Sequence, residues 1–369
     1  MFQETLEFKK INIFEHLKKY FVISPLSFMK AVRIEQIYFD PRTKYMCKYG
    51  CKNYGRKYSC PPYSYSLMNL IRKRNFRYVI LFATTTKIPP ESSYYKRRSL
   101  NSQKEYEIQK ISCKLNEIFK QNGNENIVLS GGSCKKCRPC TCVINRKCKK
   151  PNLKQTSMES IQIDCIKTMS SAGFDFQLTD KNTINRCGCI FIDDENLRSI
   201  DFIKKESVQV YYQSSIEEIF NEVSLFSKLN SNLYEKFEII PIHELNLVKS
   251  LKCNKDCKFY GNNFSCPPFS TKIDLNMWNY AIIWKWKENS YKKYSYNTAL
   301  KRLHQKVYSL GHYFALSVRN CYCDECLKCS YNGSKDQICN SRKILSPSHQ
   351  SIGIDLTQYD RGIFGIELI

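Results

Sequence analysis

The sequence lacks any long hydrophobic run, and it is poor in glycine and histidine. The longest apolar run, around Tyr78–Ala83, has the length of a strand and falls far short of the roughly 20 residues that a membrane helix requires. The first ten residues are polar and do not resemble a secretory signal peptide. Only 13 glycines occur in 369 residues, which excludes a collagen-like chain, and the 42% hydrophobic content indicates a folded protein. We therefore expect a cytoplasmic protein with no part in the membrane.

Familiar catalytic signatures are also missing. The sequence contains no P-loop, no G-x-G-x-x-G run and no Ser-His-Asp order. The five histidines, His16, His243, His304, His312 and His349, follow no ligand pattern. No residue of the sequence identifies a substrate.

Acidic residues are outnumbered, with 34 Asp and Glu against 58 Lys and Arg, for a net charge of +24. A surface of this charge suits nucleic acid or another polyanion. However, lysine supplies most of the excess in a chain that is also rich in Asn, Ile and Tyr, residues with AT-rich codons. Codon composition explains much of the charge, so nucleic-acid binding is an alternative that we do not favour.

Cysteine is the residue in unusual supply, with 20 in the chain. This number exceeds what packing needs, and it is too low for a small disulfide scaffold. Because cytosolic thiols stay reduced, the cysteines indicate metal or redox chemistry.

The cysteines lie in an internal repeat. Residues 47–63 and 253–269 both follow C-x3-C-x2-Y-G-x4-C-P-P-aromatic, and residues 134–140 and 323–329 both follow C-x2-C-x2-C. A further cysteine follows in each half, Cys148 and Cys339, and fifteen residues separate each from an Asp. These matches indicate a tandem duplication.

Each half predicts an α/β fold, with two homologous repeats and cysteine-rich loops at the strand ends. Apolar β-rich runs at 78–85 and 280–287 predict buried strands, each followed by a helical pattern at 103–121 and 296–310. Residues 157–173 predict a helix with a capping box, and 186–193 a further strand. The predicted division is 1–178 for the first repeat, 179–206 for a connecting segment and 207–369 for the second repeat.

The later cysteines of each half predict an iron–sulfur site. C-x2-C-x2-C with one further Cys is the ligand pattern of bacterial [4Fe–4S] ferredoxins, whereas zinc sites more often use two separated C-x2-C pairs. The predicted ligands are Cys134, Cys137, Cys140 and Cys148, and their copies Cys323, Cys326, Cys329 and Cys339. The gap before the last cysteine is longer than in ferredoxins, so Cys142 and Cys321 compete for the fourth position.

The earlier cysteines form a second predicted set in each half. These are Cys47, Cys51 and Cys60, and their copies Cys253, Cys257 and Cys266. Three thiolates on a four-iron cluster leave one iron open, and the Cys-Pro-Pro cysteine alternatively completes the later site. Cys187 and Cys189 form a C-G-C run that is either a ligand pair, a redox pair or neither.

Together these patterns resemble the predicted metal-binding family known as domain of unknown function 2284. The residues that carry the resemblance are Cys47, Cys51, Tyr54, Gly55, Cys60, Pro61, Pro62, Gly131, Gly132, Cys134, Cys137, Cys140, Cys148, Pro151 and 157–164. The second copy keeps the cysteines but has Arg319–Asn320 near the place of the Gly pair. The resemblance implies cysteine-ligated metal, most often iron–sulfur, and no particular reaction.

Three functions are therefore expected from the sequence. The first is a protein with two to four iron–sulfur clusters of the [4Fe–4S] type, which acts with a redox or enzyme partner in electron transfer or as an accessory to an enzyme or to a cofactor maturation step. The second is a zinc-stapled nucleic-acid-binding protein. The third is an iron–sulfur enzyme whose open iron acts on a small molecule.

Overall fold

The structure is a computed structural model of the whole chain. It describes residues 12–64, 69–71, 73–74, 76–123, 125–137, 139–144, 146–176, 182–204, 214–247, 260, 263, 265–267, 270, 273–287, 293–319, 347–352, 354–356 and 364–369. The chain forms two compact units. The first unit comprises Met1–Asp40 and Lys57–Tyr211, and the second comprises Pro41–Arg56 and Tyr212–Ile369.

The first unit packs its first two helices on one face of a mostly antiparallel sheet, and its third helix contacts the other face through Cys165 and Cys187. Its helices are α1 (Ile13–Ile23), α2 (Tyr94–Gln121) and α3 (Cys165–Ser171). Its strands are β1 (Phe28–Arg33), β2 (Tyr78–Lys87), β3 (Ile127–Ser130), β4 (Thr156–Ser157), β5 (Thr183–Ile192) and β6 (Asp201–Ile203). The strand order is β4-β3-β5-β2-β1-β6, and only the β3–β4 pair is parallel among the pairs of this sheet.

Alternating apolar residues build the core of this unit. Leu17 of α1 and Leu115 of α2 pack with Ile80 and Phe82 of β2 and Ile190 of β5. Cys187 and Cys189 alternate with Ile190 along β5, so they lie on the opposite face of the sheet. Both faces of β5 are therefore buried, as expected for a central strand.

The second unit repeats this plan. Its helices are α4 (Ile216–Leu229) and α5 (Lys293–Ser309), and its strands are β7 (Tyr234–Pro241), β8 (Tyr280–Trp286), β9 (Leu316–Val318) and β10 (Phe364–Leu368). The strand order β7-β8-β10-β9 corresponds to β1-β2-β5-β3 of the first sheet. Ser215 and Glu218 form a capping box at the start of α4.

A glycine opposite an aromatic ring marks the same position in both sheets. Gly188 of β5 pairs with Phe82 of β2, and Gly365 of β10 pairs with Trp284 of β8. A Cβ atom on either glycine would lie 2.2 Å from the facing ring. This shared packing device supports the duplication.

The structure confirms the α/β class and the strands and helices predicted around 78–85, 103–121, 280–287 and 296–310. The strand predicted at 186–193 is β5, which lies in the span 179–206 and pairs centrally in the first sheet. The helix predicted at 157–173 is wrong in its first half. Gln162 adopts a left-handed backbone (φ 72°), so the helix begins only at Cys165, capped by Asp164.

The first part of the first cysteine loop, with Cys47 and Cys51, belongs to the second unit. Tyr45 and Tyr49, which flank Cys47, are buried with Trp278 and Ile240 in a core cluster of that unit. The hydroxyl of Tyr45 accepts a hydrogen bond from the N–H of Asp274 at 3.2 Å. The predicted domain boundaries describe the sequence repeats and stay a prediction.

Within the described parts of the chain, no helix is both long enough and apolar enough to span a bilayer.

Candidate metal centre

The loop that leaves β3 carries Cys134, and helix α2 holds it in place. Gln109 donates from Nε2 to the carbonyl of Ser133 at 2.8 Å, and its Oε1 accepts from the N–H of Lys135 at 2.8 Å. Oε1 of Glu105, one turn earlier on α2, accepts from the N–H of Ser133 at 3.0 Å. Three hydrogen bonds thus fix the backbone on both sides of Cys134.

Gly132 allows this close approach. Its φ of +81° is a conformation that favours glycine, and a Cβ there would lie 2.5 Å from Oε1 of Glu105. The carboxylate of Glu159 accepts from the N–H of Gly132 at 3.3 Å. Burial raises the pKa of Glu159, while its hydrogen bonds to backbone N–H groups and the charge of Arg186 oppose that rise.

Ser59 connects the two cysteine loops of the first unit. Its Oγ accepts from the N–H of Cys134 at 3.0 Å and lies 3.6 Å from Sγ of Cys60. The carbonyl of Ser59 accepts from the N–H of Ser157 at 3.4 Å. Because Ser59 is fully buried, these bonds set the position of Cys60 relative to Cys134.

Four predicted ligands share one pocket in the first unit. Its cysteines are Cys134, Cys137, Cys140 and Cys148, and the remaining lining residues are Tyr58, Ser59, Lys136, Lys150 and Lys154. All four cysteines are free thiols. No acidic side chain is among the described residues that line the pocket, and three lysines are. This donor set fits a thiolate-ligated metal group of net negative charge.

Cys142 is not among the residues that line this pocket. It is 2% exposed, whereas Cys148 is half-buried and lines the pocket. Burial and its hydrogen bond to Cys140 raise the pKa of Cys142 to about 12. Cys142 and Cys148 are the two candidates for the fourth ligand of the first repeat. Of these, Cys148 shares a pocket with Cys134, Cys137 and Cys140.

Backbone groups favour the thiolate form of Cys140. Burial alone would raise the pKa of Cys140, but hydrogen bonds from the N–H groups of Cys142 and Tyr58 and the charge of Lys57 lower it overall. N–H donors directed at a cysteine sulfur are a common feature around metal–thiolate groups.

The lysines have different roles. Nζ of Lys135 lies 2.8 Å from Oε2 of Glu105, and both side chains are largely buried. Lys135 is therefore part of the scaffold of the loop and does not belong to a solvated rim. Lys136 packs over the ring of Tyr106, with Nζ 5.8 Å from the ring centre, at the edge of the pocket.

The earlier cysteine set is divided between the two units. Cys47 and Cys51 belong to the second unit, where the N–H of Asn53 donates to Sγ of Cys51 at 3.5 Å. Cys60 belongs to the first unit and is buried. Their assignment to one three-cysteine site stays a prediction.

The second repeat is described only in part at its predicted site. Cys266 is 4% exposed, and its N–H donates to the carbonyl of Asn263 at 3.0 Å. Six predicted ligands lie outside the described residues, namely Cys253, Cys257, Cys323, Cys326, Cys329 and Cys339.

In the described parts of the chain, no three or more His, Cys, Asp or Glu side chains are grouped to hold a single metal ion. A tetrahedral zinc bound at 2.3 Å would bring its sulfur ligands to within about 3.8 Å of each other. The four cysteines of the pocket therefore line a common space without closing around one ion.

The C-G-C run is buried away from the pocket lining. Cys187 and Cys189 are 1% and 0% exposed, and Sγ of Cys187 lies 3.8 Å from Sδ of Met158. A hydrogen bond with Cys187 and burial raise the pKa of Cys165 well above its usual value. Burial likewise raises the pKa of Cys189. Thiols in this state are inert packing groups.

Sequence reasoning missed Glu105 and Gln109. They lie four residues apart in α2 next to the buried Ile108, so they project from neighbouring positions of the helix. Gln109 is fully buried on an otherwise apolar stripe and therefore needs a polar partner. A glutamine at this position of the stripe is the sequence signal that would have indicated a loop at this face of α2.

Comparison with known proteins gives a family and no closer relative. The family model described as a predicted metal-binding protein, domain of unknown function 2284, matches residues 30–192 and again 239–366. No curated protein and no solved structure matches the chain. The two matched segments cover most of the sequence and coincide with the two repeated folds. The chain therefore belongs to the domain of unknown function 2284 family of predicted metal-binding proteins, as a tandem duplication of the family's unit.

Proposed function

We propose that the protein is a cytoplasmic iron–sulfur protein whose first repeat binds a [4Fe–4S] cluster through Cys134, Cys137, Cys140 and Cys148. The observation that carries this proposal is the shared pocket of these four cysteines, with lysines and no described acidic side chain in its wall. By the repeat, Cys323, Cys326, Cys329 and Cys339 would bind a second cluster. With the earlier cysteine sets, the total would be two to four.

The spacing of the thiols supports a cluster over a single zinc ion. C-x2-C-x2-C followed by one further Cys is the ligand pattern of [4Fe–4S] ferredoxins, whereas zinc sites more often use two separated C-x2-C pairs. Zinc remains the competing metal, and metal analysis separates the two.

A cluster bound here would accept and donate single electrons. The positive charges of Lys136, Lys150 and Lys154, which line the pocket, would partly balance the negative charge of the cluster. Positive side chains and N–H donors favour the more negative, reduced state and so raise a reduction potential. We therefore favour electron transfer, or assistance to an enzyme or to cofactor maturation, as the role.

Anaerobic purification of the full chain tests this proposal. We expect a brown protein that absorbs at about 400 nm and contains iron and acid-labile sulfide. Dithionite should bleach its absorbance. A colourless protein that contains zinc, or no metal, would overturn it. If zinc is found, salt-sensitive binding of nucleic acid becomes the function to test next.

A further inference from the structure

The outer wall of the cysteine pocket is a segment with unusual surface chemistry. We call residues 143–154 the basic loop. Cys148, Lys150 and Lys154 of this loop line the pocket. On the same loop, Val143, Ile144 and Leu153 are 43%, 58% and 44% exposed. Exposed aliphatic side chains beside a functional pocket indicate an interaction surface.

The charge around these apolar residues is of one sign. Residues 134–154 contain eight cationic side chains and no acidic one, namely Lys135, Lys136, Arg138, Arg146, Lys147, Lys149, Lys150 and Lys154. Lys147, Lys149, Lys150 and Lys154 are exposed. Among the described residues, none of these four forms an ion pair. The loop thus exposes both aliphatic and cationic side chains, the types of group that a protein interface combines.

The general lysine content of the chain does not account for this charge. The corresponding stretch of the second repeat, residues 323–343, contains four cationic residues and three acidic ones, Asp324, Glu325 and Asp336. Two of these acids stand where the first repeat has Lys135 and Lys136. The strongly basic composition of this stretch therefore occurs in the first repeat and not in the corresponding sequence of the second.

Hydrogen bonds hold the basic loop in a defined shape. The hydroxyl of Tyr58 donates to the carbonyl of Arg146 at 2.6 Å, and Oγ1 of Thr141 donates to the carbonyl of Lys147 at 2.9 Å. Short 3-10 turns at Thr141–Ile144 and Pro151–Leu153 begin and end the segment. A loop that is already ordered loses little conformational entropy when a partner binds.

We propose that the basic loop docks a small acidic electron-carrier protein against the cysteine pocket of the first repeat. This rests on the proposed function and specifies the chemistry of the partner. Charge complementarity argues for an acidic surface, and the three aliphatic side chains argue for a protein. Single-stranded nucleic acid is less well suited, since it stacks on aromatic side chains and the basic loop contains none.

The test uses the full chain purified anaerobically, with a recombinant flavodoxin as the acidic probe and a mixed-sequence DNA oligonucleotide as the competing probe. Dissociation constants are measured by calorimetry at low and high salt. We expect salt-sensitive binding of the flavodoxin. Lys147→Glu with Lys149→Glu should weaken it about 10-fold or more, because each reversal replaces attraction with repulsion. Val143→Ser with Ile144→Ser should weaken flavodoxin binding and leave DNA binding unchanged.

The matched control is Lys18→Glu with Lys19→Glu on α1, which changes the net charge equally and should alter the dissociation constant less than twofold. The proposal would be overturned if flavodoxin did not bind, or if the charge reversals on the loop and on α1 had equal effects. Tighter binding of DNA than of flavodoxin would also overturn it. Iron and sulfide are assayed on the same samples. Flavodoxin binding without iron would refute the proposed cluster and retain the docking surface, and iron without binding would do the reverse.

Discussion

The backbone N–H of Cys134 donates to the buried Oγ of Ser59 across 3.0 Å, which ties the Cys-Pro-Pro loop to the C-x2-C-x2-C loop of the first repeat. The two motifs lie 75 residues apart in the chain, and the side chain of one serine joins them. This bond is a scaffold for the cysteine pocket, and its loss can be measured.

Ser59→Ala should reduce the metal content of the protein and lower its free energy of unfolding by about 1–2 kcal/mol. The substitution leaves the N–H of Cys134 without its acceptor in a buried position. Urea unfolding and metal analysis measure the two effects. Ser171→Ala, which removes a hydrogen bond to Thr168 on α3, is the control and should leave metal content unchanged. Equal metal content in both variants would contradict the scaffold role of Ser59.

Cys148→Ser should remove most of the metal bound by the first repeat, and Cys142→Ser should retain it. Cys148 lines the pocket, whereas Cys142 is buried and is not among its lining residues. Iron or zinc per chain, measured by mass spectrometry, distinguishes the two variants. Cys113→Ser on α2 serves as the control for the loss of one thiol. If Cys142→Ser is the variant that loses metal, the fourth ligand is misassigned.

Gly188→Ala should destabilise the first unit by about 1–3 kcal/mol, because the new methyl group would meet the ring of Phe82 at 2.2 Å. Gly50→Ala is the matched control, since no atom lies within 4 Å of its Cβ position. It should change stability by less than about 0.5 kcal/mol. Urea unfolding measures the free energy of unfolding of both variants. If both lose equally little stability, β5 shifts to accommodate the added methyl group and the prediction is wrong.

Stability of the second unit should fall as the pH rises through the neutral range. Burial alone would lower the pKa of His304, but the charge of Glu367 and its hydrogen bond to Nδ1 at 2.6 Å raise it. A histidine whose pKa is higher in the folded state stabilises fully below its unfolded pKa of about 6.5, and this contribution is lost as pH rises through the folded value.

Thermal unfolding at pH 6 and pH 8.5 tests this expectation. The difference between the two melting temperatures should shrink in His304→Gln. His243→Gln is the control, because His243 is 83% exposed and lies outside the core. An unchanged difference in His304→Gln would show that the ion pair does not carry the pH dependence.

Local pattern predicted much of the fold. The strands β2 and β8 were predicted from continuous apolar runs, and the helices α2 and α5 from the helical patterns that follow them. The helix expected from Ser157 fails because Ser157 pairs with Ser130 of β3 as part of a strand, and because a left-handed Gln162 interrupts the segment. Burial of Tyr45 and Tyr49 in the second unit also depends on tertiary packing, which no local pattern contains.

The four cysteines of the pocket were predicted from the sequence as ligands, and the residues that support their loop were not. Spacing groups Cys134, Cys137 and Cys140 because their loop is short. The choice between Cys142 and Cys148 needs the fold of the loop, in which one is buried and the other faces the pocket. Glu105 lies on α2, 29 residues before Cys134, and holds the loop by a hydrogen bond. Its role follows from the packing of α2 against β3, which no sequence motif indicates.

The most direct test of the central claim is the iron and sulfide content per chain of the anaerobic protein, compared with a variant in which Cys134, Cys137, Cys140 and Cys148 are all Ser. The account predicts iron and sulfide in equal amounts in the unchanged protein, and a loss of about four of each in the variant. Equal contents in the two proteins, or zinc in place of iron, would contradict it.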